Sequence, residues 1–471
     1  MESIATETNR FAWQHIAPHF EVEDELAEKS RLRQWADTSV GELYKLFSVL
    51  LLMGMCVRGR LDEYWSTGIL GMPGFRKIMQ KDRFLLLMRF LHFADNNTIH
   101  HGDDKKLAKI RPLLEHLNKK FADIYSPRRE MSIDESLLLW KGRISWMQCI
   151  RSKAARFGIK TYELCEAVSG YVLKVIIYTG KGTLPRASVF GFSSSTAKIV
   201  LELFKDYLGR GFTLFMDNFY NSIALTRFLK SKKTDVVGTL NRRRVDCPQD
   251  IKAINEKRME RGAVVSRHCG DVSVVAWKDV KLVTTVSTYH NADMAQGRRA
   301  GQAIMKPNVI HEYNKFMGGV DLKDQKLSMY LLERKRGIKW YIKVFRRLFN
   351  VSILNCYIIY CSNIGQGQKM SHRQFRYLLA EELCAQTGAN VATRQRQNIT
   401  STRLDRSLDH TPEHLCIEGE RTLKQVRFQR GRCVRCAAKK ERGQTNIQCS
   451  NCKVFLCVGQ CWREYHSLDN L

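Results

Sequence analysis

The sequence predicts an α/β protein in which a sheet is flanked by helices, and two changes along the chain support this fold class. Up to about residue 129, apolar residues recur every three or four positions, which is typical of amphipathic helices. From Glu130 the apolar residues form short runs that alternate with helical segments as far as about residue 240. Strands mixed with helices in this order indicate a compact sheet domain.

The individual elements follow from the same patterns. Helices are predicted over Gly41–Cys56, Asp82–Phe93, Arg111–Ile124, Thr196–Leu208 and Ser222–Lys230. Strands are predicted in MSIDESLLLW, in two segments paired across Ser169-Gly170, in FTLFMDNF and in DVVGTL. After Asn241, the segments VVSRHCGDVSVVAW and VKLVTTVSTYH indicate an inserted set of antiparallel strands. Helical spacing resumes at Asn308 and again over Trp340–Tyr360, and Gly365–Thr411 predicts a last helix and a linker.

The charge of the chain points to a polyanionic partner. There are 77 Lys+Arg against 47 Asp+Glu, which gives a net charge of +30 and a pI near 9.7. Double-stranded DNA is the expected partner, because each neutralised phosphate releases counterions. A basic protein of a ribosome or membrane surface is the alternative. The longest apolar runs, Phe47–Val57 and Leu348–Cys361, are shorter than a membrane span of roughly 20 residues, so we expect buried helices and no membrane partner.

Four aspartates lie beside hydrophobic sequence and are candidates for metal binding. They are Asp134 in MSIDES, Asp217 in LFMDNFY, and Asp321 with Asp324 in GGVDLKDQ. Phosphodiester cleavage needs such carboxylates, since two divalent ions activate the attacking oxygen and neutralise the leaving one. Mg²⁺, or Mn²⁺, suits oxygen ligands of this kind. Taken singly, each aspartate is equally typical of a helix cap or a turn.

Together, the blocks MSIDESLLLWKGR, MDNFYNSIALTRFL and HEYNKFMGGVDLKDQ resemble the signature blocks of the piggyBac transposase family. The resemblance implies an RNase H-like catalytic core with a β-rich insertion, flanked by a helical DNA-binding and dimerisation domain, and a small C-terminal zinc-binding domain. It implies that Asp134, Asp217 and Asp321 bind the catalytic metal ions and that Asp324 supports them. The implied reaction is cut and paste through hairpin intermediates, with insertion at TTAA sites.

The resulting domain prediction divides the chain into six segments. The helical domain takes residues 1–129 and 331–410, and the catalytic core takes 130–240 and 307–330. The insertion takes 241–306, and the cysteine-rich domain takes 411–471. We expect a homodimer, because transposition handles two transposon ends and twofold symmetry supplies two active sites. We also expect nuclear localisation. The alternative function is a host-adopted DNA-binding protein that retains the fold without transposition activity.

Three basic clusters are candidates for DNA contact near the acidic residues. Phosphate contacts are the expected role of such cations, since they position a strand without reading its bases. Trp340 is a candidate for stacking on an unpaired base, although core packing is the more common role of such an aromatic. The DNA-binding candidates are Arg151, Lys153, Arg156 and Lys160; Arg242, Arg243 and Arg244; and Arg334, Lys335, Arg336 and Lys339 with Trp340.

The C-terminal segment has a strong zinc signal. Six of the 15 cysteines fall within it as two CxxC pairs and one CxxxC pair, and a CxxC turn presents two thiolates to one ion. The predicted zinc ligands are Cys433, Cys436, Cys449, Cys452, Cys457, Cys461 and His466. The family resemblance implies a cross-braced finger with two zinc ions, which needs eight ligands. His414 and Cys416 are the candidates for the eighth position.

Overall fold

The computed structural model describes residues 1–18, 30–69, 71–98, 103–151, 155–180, 183–184, 187–299, 302–333, 337–365, 367–386, 410–414, 430–439 and 441–467. The chain divides into two compact units, Met1–Gly388 and Ala389–Leu471. In the first unit the helices are α1 Glu2–Ile16, α2 Val40–Met55, α3 Pro73–Ile78, α4 Lys81–Phe90, α5 Arg111–Asp123, α6 Ser195–Phe204, α7 Ile223–Ser231, α8 Gln249–Ala253, α9 Asn308–Phe316, α10 Gly319–Ser328, α11 Trp340–Asn363 and α12 His372–Ala385.

The strands of the first unit are β1 Glu130–Leu139, β2 Gln148–Cys149, β3 Phe157–Glu166, β4 Val172–Ile177, β5 Thr213–Met216, β6 Asp235–Thr239, β7 Val264–Cys269, β8 Val272–Lys278, β9 Leu282–Ser287, β10 Met294–Arg299 and β11 Gln302–Pro307. The first nine form one sheet in the order β2-β3-β1-β5-β6-β9-β8-β7, with β4 paired to β3. β1, β5 and β6 are parallel to one another. The mixed α/β fold class is therefore confirmed.

The hairpin predicted across Ser169-Gly170 is confirmed. β3 and β4 pair antiparallel, and Gly170 has a φ of +73°. Glycine adopts this left-handed conformation without the steric cost that other residues incur. The turn also packs against α10, since a Cβ added to Gly170 would lie 3.1 Å from the backbone nitrogen of Lys323.

The region after Asn241 is β-rich as predicted, but its first three strands extend the main sheet. β9 pairs antiparallel with β6, from Val237↔Ser287 to Thr239↔Thr285, and β8 and β7 follow outward. β10 and β11 form a separate two-stranded hairpin. This region is therefore continuous with the sheet that carries β1 and β5.

Helices from both ends of the first unit pack together. The Ser48 hydroxyl in α2 donates a hydrogen bond to the carbonyl oxygen of Ala380 in α12, at 2.8 Å. The ring of Phe47 in α2 lies 5.4 Å from that of Phe345 and 5.1 Å from that of Phe349, both in α11. The helical segments before and after the sheet therefore share one core. Within the described part of the chain, none of the helices has the length and hydropathy that crossing a membrane requires.

The continuous helical pattern after Asn308 is broken at the two glycines. α9 ends at Phe316 and α10 begins at Gly319. A Cβ added to Gly319 would lie 2.4 Å from the Ser132 hydroxyl oxygen in β1. Gly319 therefore allows α10 to lie closely against β1, which a larger residue would prevent.

The second unit is small and is built around its cysteines. β12 Pro412–His414 pairs with β15 Ile447–Cys449, and β13 Gly431–Arg432 pairs with β14 Gln444–Thr445. Two short helices follow the loops, α13 Val434–Ala438 and α14 Gln460–Ser467. Its core consists of Cys433, Cys436, Leu456 and Tyr465.

Candidate active site and zinc sites

Parallel pairing of β1 and β5 brings the first two predicted aspartates together. The register pairs Ile133 of β1 with Met216 of β5. Asp134 and Asp217 are the residues that directly follow these two in the sequence. Ser132 and Phe215 are also partners in this register, so the four residues lie on one face of the sheet. Residues 83 positions apart in sequence are therefore neighbours at the same sheet edge.

The helices α9 and α10 cover that face. Phe316 of α9 packs on Phe215 with ring centroids 5.2 Å apart, and Gly319 of α10 lies against Ser132. Asp321 is an exposed residue in the first turn of α10. The third predicted carboxylate is thus carried by the helix that packs beside Asp134.

Asp134 and Asp217 occupy a crowded acidic environment. The Asp134 Oδ1 accepts the N–H of Glu135 at 2.8 Å, and the Asp217 Oδ1 accepts the N–H of Phe219 at 2.9 Å. Burial raises the pKa of Asp217, the N–H of Phe219 opposes this, and the charge of Glu135 raises the pKa further. Burial also raises the pKa of Tyr220, and the charges of Glu135, Asp134 and Asp217 add to this. A divalent cation would relieve the repulsion among these carboxylates.

The carboxyl chemistry fits Mg²⁺ or Mn²⁺, which take oxygen ligands. Among the described residues, however, no three carboxylates have oxygens that all lie within 4.8 Å of one another. Convergence of Asp134, Asp217 and Asp321 on shared ions therefore stays a prediction.

Asp324 has a different environment, because its oxygens are already engaged. The Ser136 hydroxyl lies 3.0 and 2.8 Å from the two carboxylate oxygens. The Lys323 ammonium lies 2.6 Å and the Arg347 guanidinium 3.2 Å from Oδ1. Lys323 also pairs with Glu163 at 2.5 Å, and both side chains are buried. Burial raises the pKa of Asp324, but the charges of Lys323 and Arg347 outweigh it, so the pKa is lowered. These contacts favour a supporting role in positioning α10.

The predicted DNA-binding residues lie in several places. Arg151 and Arg156 are exposed. Arg242 and Arg243 line a cavity of about 590 Å³ together with Asn218, which follows Asp217 directly. Lys252 and Lys281 add two more cations to this cavity. Lys153, Arg334, Lys335 and Arg336 lie outside the described residues.

Lys339 and Trp340 both make contacts with other parts of the first unit. The Lys339 ammonium donates a hydrogen bond to the carbonyl oxygen of Arg89, and burial lowers the pKa of Lys339 to about 8. Trp340 packs edge-on against Trp146, with ring centroids 5.3 Å apart. The contact with Trp146 favours core packing for Trp340, which was the alternative to base stacking. The hydrogen bond to Arg89 occupies the Lys339 ammonium, which was predicted to bind phosphate.

The cysteine-rich unit contains two four-ligand clusters. One is formed by Cys433, Cys436, Cys457 and Cys461, and the other by His410, Cys449, Cys452 and His466. The ligands alternate between the clusters along the chain, which is the cross-braced arrangement that the family resemblance implies. All seven predicted zinc ligands fall into these clusters.

The eighth residue of the two clusters differs from both candidates that the sequence offered. His410 completes the second cluster, whereas His414 lies in β12, paired with Ile447, and belongs to neither cluster. Cys416, the other candidate, lies outside the described residues. The signal for His410 was weak, because it precedes the first cysteine of the motif by 23 residues and has no fixed spacing to it.

The distances in the second cluster fit a zinc tetrahedron. With Zn–S of about 2.3 Å and Zn–N of about 2.0–2.1 Å, ligand N···S edges of roughly 3.5–3.6 Å are expected. The His410 Nδ1 lies 3.5 Å from the sulfurs of both Cys449 and Cys452, and the His466 Nε2 lies 3.6 Å from that of Cys452. The His466 Nδ1 is 2.9 Å from the Trp462 carbonyl oxygen, which directs Nε2 towards the cluster.

The first cluster suits zinc through its thiols. The Cys436 and Cys461 sulfurs are 3.6 Å apart. Burial would raise the pKa of Cys433, but the backbone N–H groups of Cys436 and Cys457 outweigh it and lower the pKa to about 7. A lowered thiol pKa favours the thiolate form, which is the form that binds metal.

Comparisons with known proteins agree with this architecture. A family model described as transposase IS4 matches residues 1–357, which places the protein in the transposase class. The chain belongs to the piggyBac-type transposase family. PiggyBac transposable element-derived protein 3 of Homo sapiens is 26% identical over 398 residues, which are 83% of this chain and 63% of the relative. PiggyBac transposable element-derived protein 2 of Homo sapiens is 27% identical over 428 residues, 85% of this chain and 66% of the relative.

The chain thus spans just under two thirds of the length of these relatives. A solved structure, a cryo-EM structure of the piggyBac transposase synaptic complex with hairpin DNA, matches with a TM-score of 0.67. It is 23% identical, and the match covers 97% of this chain and 93% of that chain. The fold of the piggyBac transposase is therefore shared over nearly the whole sequence.

Proposed function

We propose that the chain is a cut-and-paste DNA transposase with an RNase H-like catalytic core. The observation that carries the proposal is the parallel register of β1 and β5, which makes Asp134 and Asp217 neighbours. The helix α10, which carries Asp321 in its first turn, packs beside the same strand and supports including Asp321 in the proposal. Family membership supports a DNA-cleaving class.

In this proposal Asp134, Asp217 and Asp321 hold Mg²⁺ or Mn²⁺. The ions would supply Lewis-acid activation of the attacking oxygen and charge neutralisation at the leaving oxygen. The protein's own residues hold the site in place: the Asp134 and Asp217 oxygens are oriented by neighbouring backbone N–H groups, and Asp324 anchors α10 to Ser136. Zn²⁺ stabilises the C-terminal unit through the eight ligands of its two clusters.

The partner is double-stranded DNA, which the net charge of +30 supports. The structural relative was solved as a synaptic complex with hairpin DNA, and this favours hairpin intermediates here. Excision of transposon ends, insertion at TTAA, action as a homodimer and nuclear localisation complete the proposal.

The decisive experiment is cleavage of DNA that carries the genomic flanks of the gene. Asp134→Asn, Asp217→Asn and Asp321→Asn should each lower metal-dependent nicking by at least about a hundredfold while leaving DNA affinity within about twofold, because basic residues supply most of that affinity. Asp206→Asn is the matched control, since Asp206 is a surface residue that pairs with Lys174. Full nicking by any of the three variants would rule out the assigned triad.

A second function, a host-adopted DNA-binding protein, is favoured by one observation. The human relatives are named as derived from a transposable element. If this function holds, the chain binds specific DNA but does not nick it in Mg²⁺ or Mn²⁺. Genomic flanks without inverted repeats bounded by TTAA would agree with that outcome.

A further inference from the structure

The turn after β5 presents an exposed aromatic ring beside the candidate active site. Phe219 is 41% exposed, whereas the two residues that follow it, Tyr220 and Asn221, are 1% and 0% exposed. Phe219 is also only two residues from Asp217. An apolar ring in this place is open to solvent at the point where the reacting DNA is proposed to lie.

The exposure of Phe219 is not a consequence of a loose loop. Its N–H donates to the Asp217 carboxylate at 2.9 Å, and its carbonyl oxygen accepts from the Arg244 guanidinium at 2.6 Å. The Asn221 amide donates to the carbonyl oxygens of Met216 and Thr239, each at 3.0 Å, and so ties the turn to the ends of β5 and β6. The backbone that carries the ring is therefore held at several points of the turn.

One cation lies over this ring, and two more lie near the neighbouring residue Asn218. The Lys160 ammonium lies 5.0 Å from the ring centroid of Phe219 and 4.6 Å from that of Tyr162. Asn218, the residue before Phe219, lines the cavity of about 590 Å³ that Arg242 and Arg243 also line. Cations that hold phosphates, next to an aromatic face, form the general arrangement by which proteins bind unpaired nucleotides.

A purely structural role for Phe219 explains less of this arrangement. The ring contacts Tyr220 edge-on, with centroids 5.0 Å apart, so it covers part of the buried phenol. Tyr220 is nevertheless held by its own burial and by its hydrogen bond to Glu135 at 3.2 Å. Covering Tyr220 does not require an aromatic that leaves two fifths of its surface in water.

We propose that Phe219 is a stacking platform for a nucleobase that is unpaired next to the cleavage site. This inference rests on the proposed function, because it requires DNA at Asp217. It assigns to Phe219 the stacking that the sequence had suggested for Trp340. The ligand is a base in a hairpin loop or a frayed end, and the ring does not contact an intact duplex.

The test compares two DNA probes in Ca²⁺, so that binding is measured without relying on cleavage. One probe is a hairpin with a TTAA loop in which 2-aminopurine replaces one adenine, and the other is a blunt duplex of the same stem. The variants are Phe219→Leu, which is apolar but cannot stack, and Phe219→Trp, which can. Phe190→Leu is the matched control, because Phe190 is 54% exposed and packs on Phe228.

We expect Phe219→Leu to weaken hairpin binding about 5- to 150-fold and to leave duplex binding unchanged. The wild-type chain and Phe219→Trp should quench 2-aminopurine fluorescence, and Phe219→Leu should not. Equal losses on both probes, or no loss on the hairpin, would overturn the proposal. If the wild-type chain binds the hairpin but fails to nick DNA in Mg²⁺, the proposed function fails, whereas the Phe219→Leu comparison still decides the base site. Binding of neither probe would reject both.

Discussion

Replacing Lys323 by methionine should destabilise the first unit strongly. Lys323 is fully buried in α10 and pairs with two carboxylates, Glu163 at 2.5 Å and Asp324 at 2.6 Å. Arg347 of α11 is the second cation of this network and lies 3.2 Å from Asp324. Methionine keeps most of the lysine volume, so the change removes charge with little loss of packing.

The magnitude follows from the burial of the network. Removing one partner of a buried ion pair costs about 3–5 kcal/mol, because the remaining charge is left uncompensated. Arg347 still compensates the charge of Asp324. We therefore expect the free energy of unfolding to fall by about 3 kcal/mol, the lower end of this range, mainly because Glu163 loses its cation. The double variant Lys323→Met/Glu163→Gln should recover about 2 kcal/mol, since the uncompensated carboxylate is also removed.

Urea unfolding at neutral pH, followed by tryptophan fluorescence, measures these differences. Lys230→Met is the control: Lys230 pairs with Asp235 at 2.8 Å with about a third of its side chain exposed, and such pairs contribute less than about 1 kcal/mol. A loss below about 1 kcal/mol for Lys323→Met, or a double variant no more stable than the single one, would refute the reasoning.

Three further predictions concern other regions. His410→Ala should lower the zinc content of the purified, reduced protein from two ions to one per chain, whereas His414→Ala should leave two, and metal analysis separates the outcomes. Burial lowers the pKa of His92 to about 4 from its ordinary 6.5, so the neutral form stabilises the fold; this stability is complete above pH 6.5 and is lost as the pH falls towards 4. His92→Gln should therefore reduce the acid sensitivity of unfolding, by at most about 3 kcal/mol, and an unchanged pH profile would contradict this. Mass measurement with DNA carrying both ends should show a dimer, and a persistent monomer would reject it.

Much of the fold was predictable because its signals are local. The alternation in MSIDESLLLW and the Ser169-Gly170 turn lie within single elements, and the helix and strand periods differ. The pairing of β6 with β9 was not predictable, because it depends on strands about 50 residues apart that carry no mark of their partner. The break between α9 and α10 was not predicted either, and the contact of Gly319 with Ser132 gives its physical reason.

In the candidate site, too, some residues were identifiable from the sequence and others were not. Asp134 and Asp217 were identifiable as carboxylates beside apolar runs, and the cysteine pairs were identifiable from their spacing. Lys323 and Phe219 were missed for opposite reasons. A lysine between Leu322 and Asp324 is typical of a solvated helix face but is fully buried, whereas a phenylalanine after Asp217-Asn218 is typical of a core residue but is exposed.

The three predicted metal-binding carboxylates are positioned in two different ways. Asp134 and Asp217 are set by strand pairing, which fixes their spacing within the sheet. Asp321 is set by α10, whose place depends on Gly319 against β1 and on the Asp324 network. That network includes Arg347 of α11, and α11 packs against α2 through Phe47. The distance from Asp321 to the other two carboxylates therefore depends on the helical region, so a change in that region on DNA binding would move the third carboxylate relative to the first two.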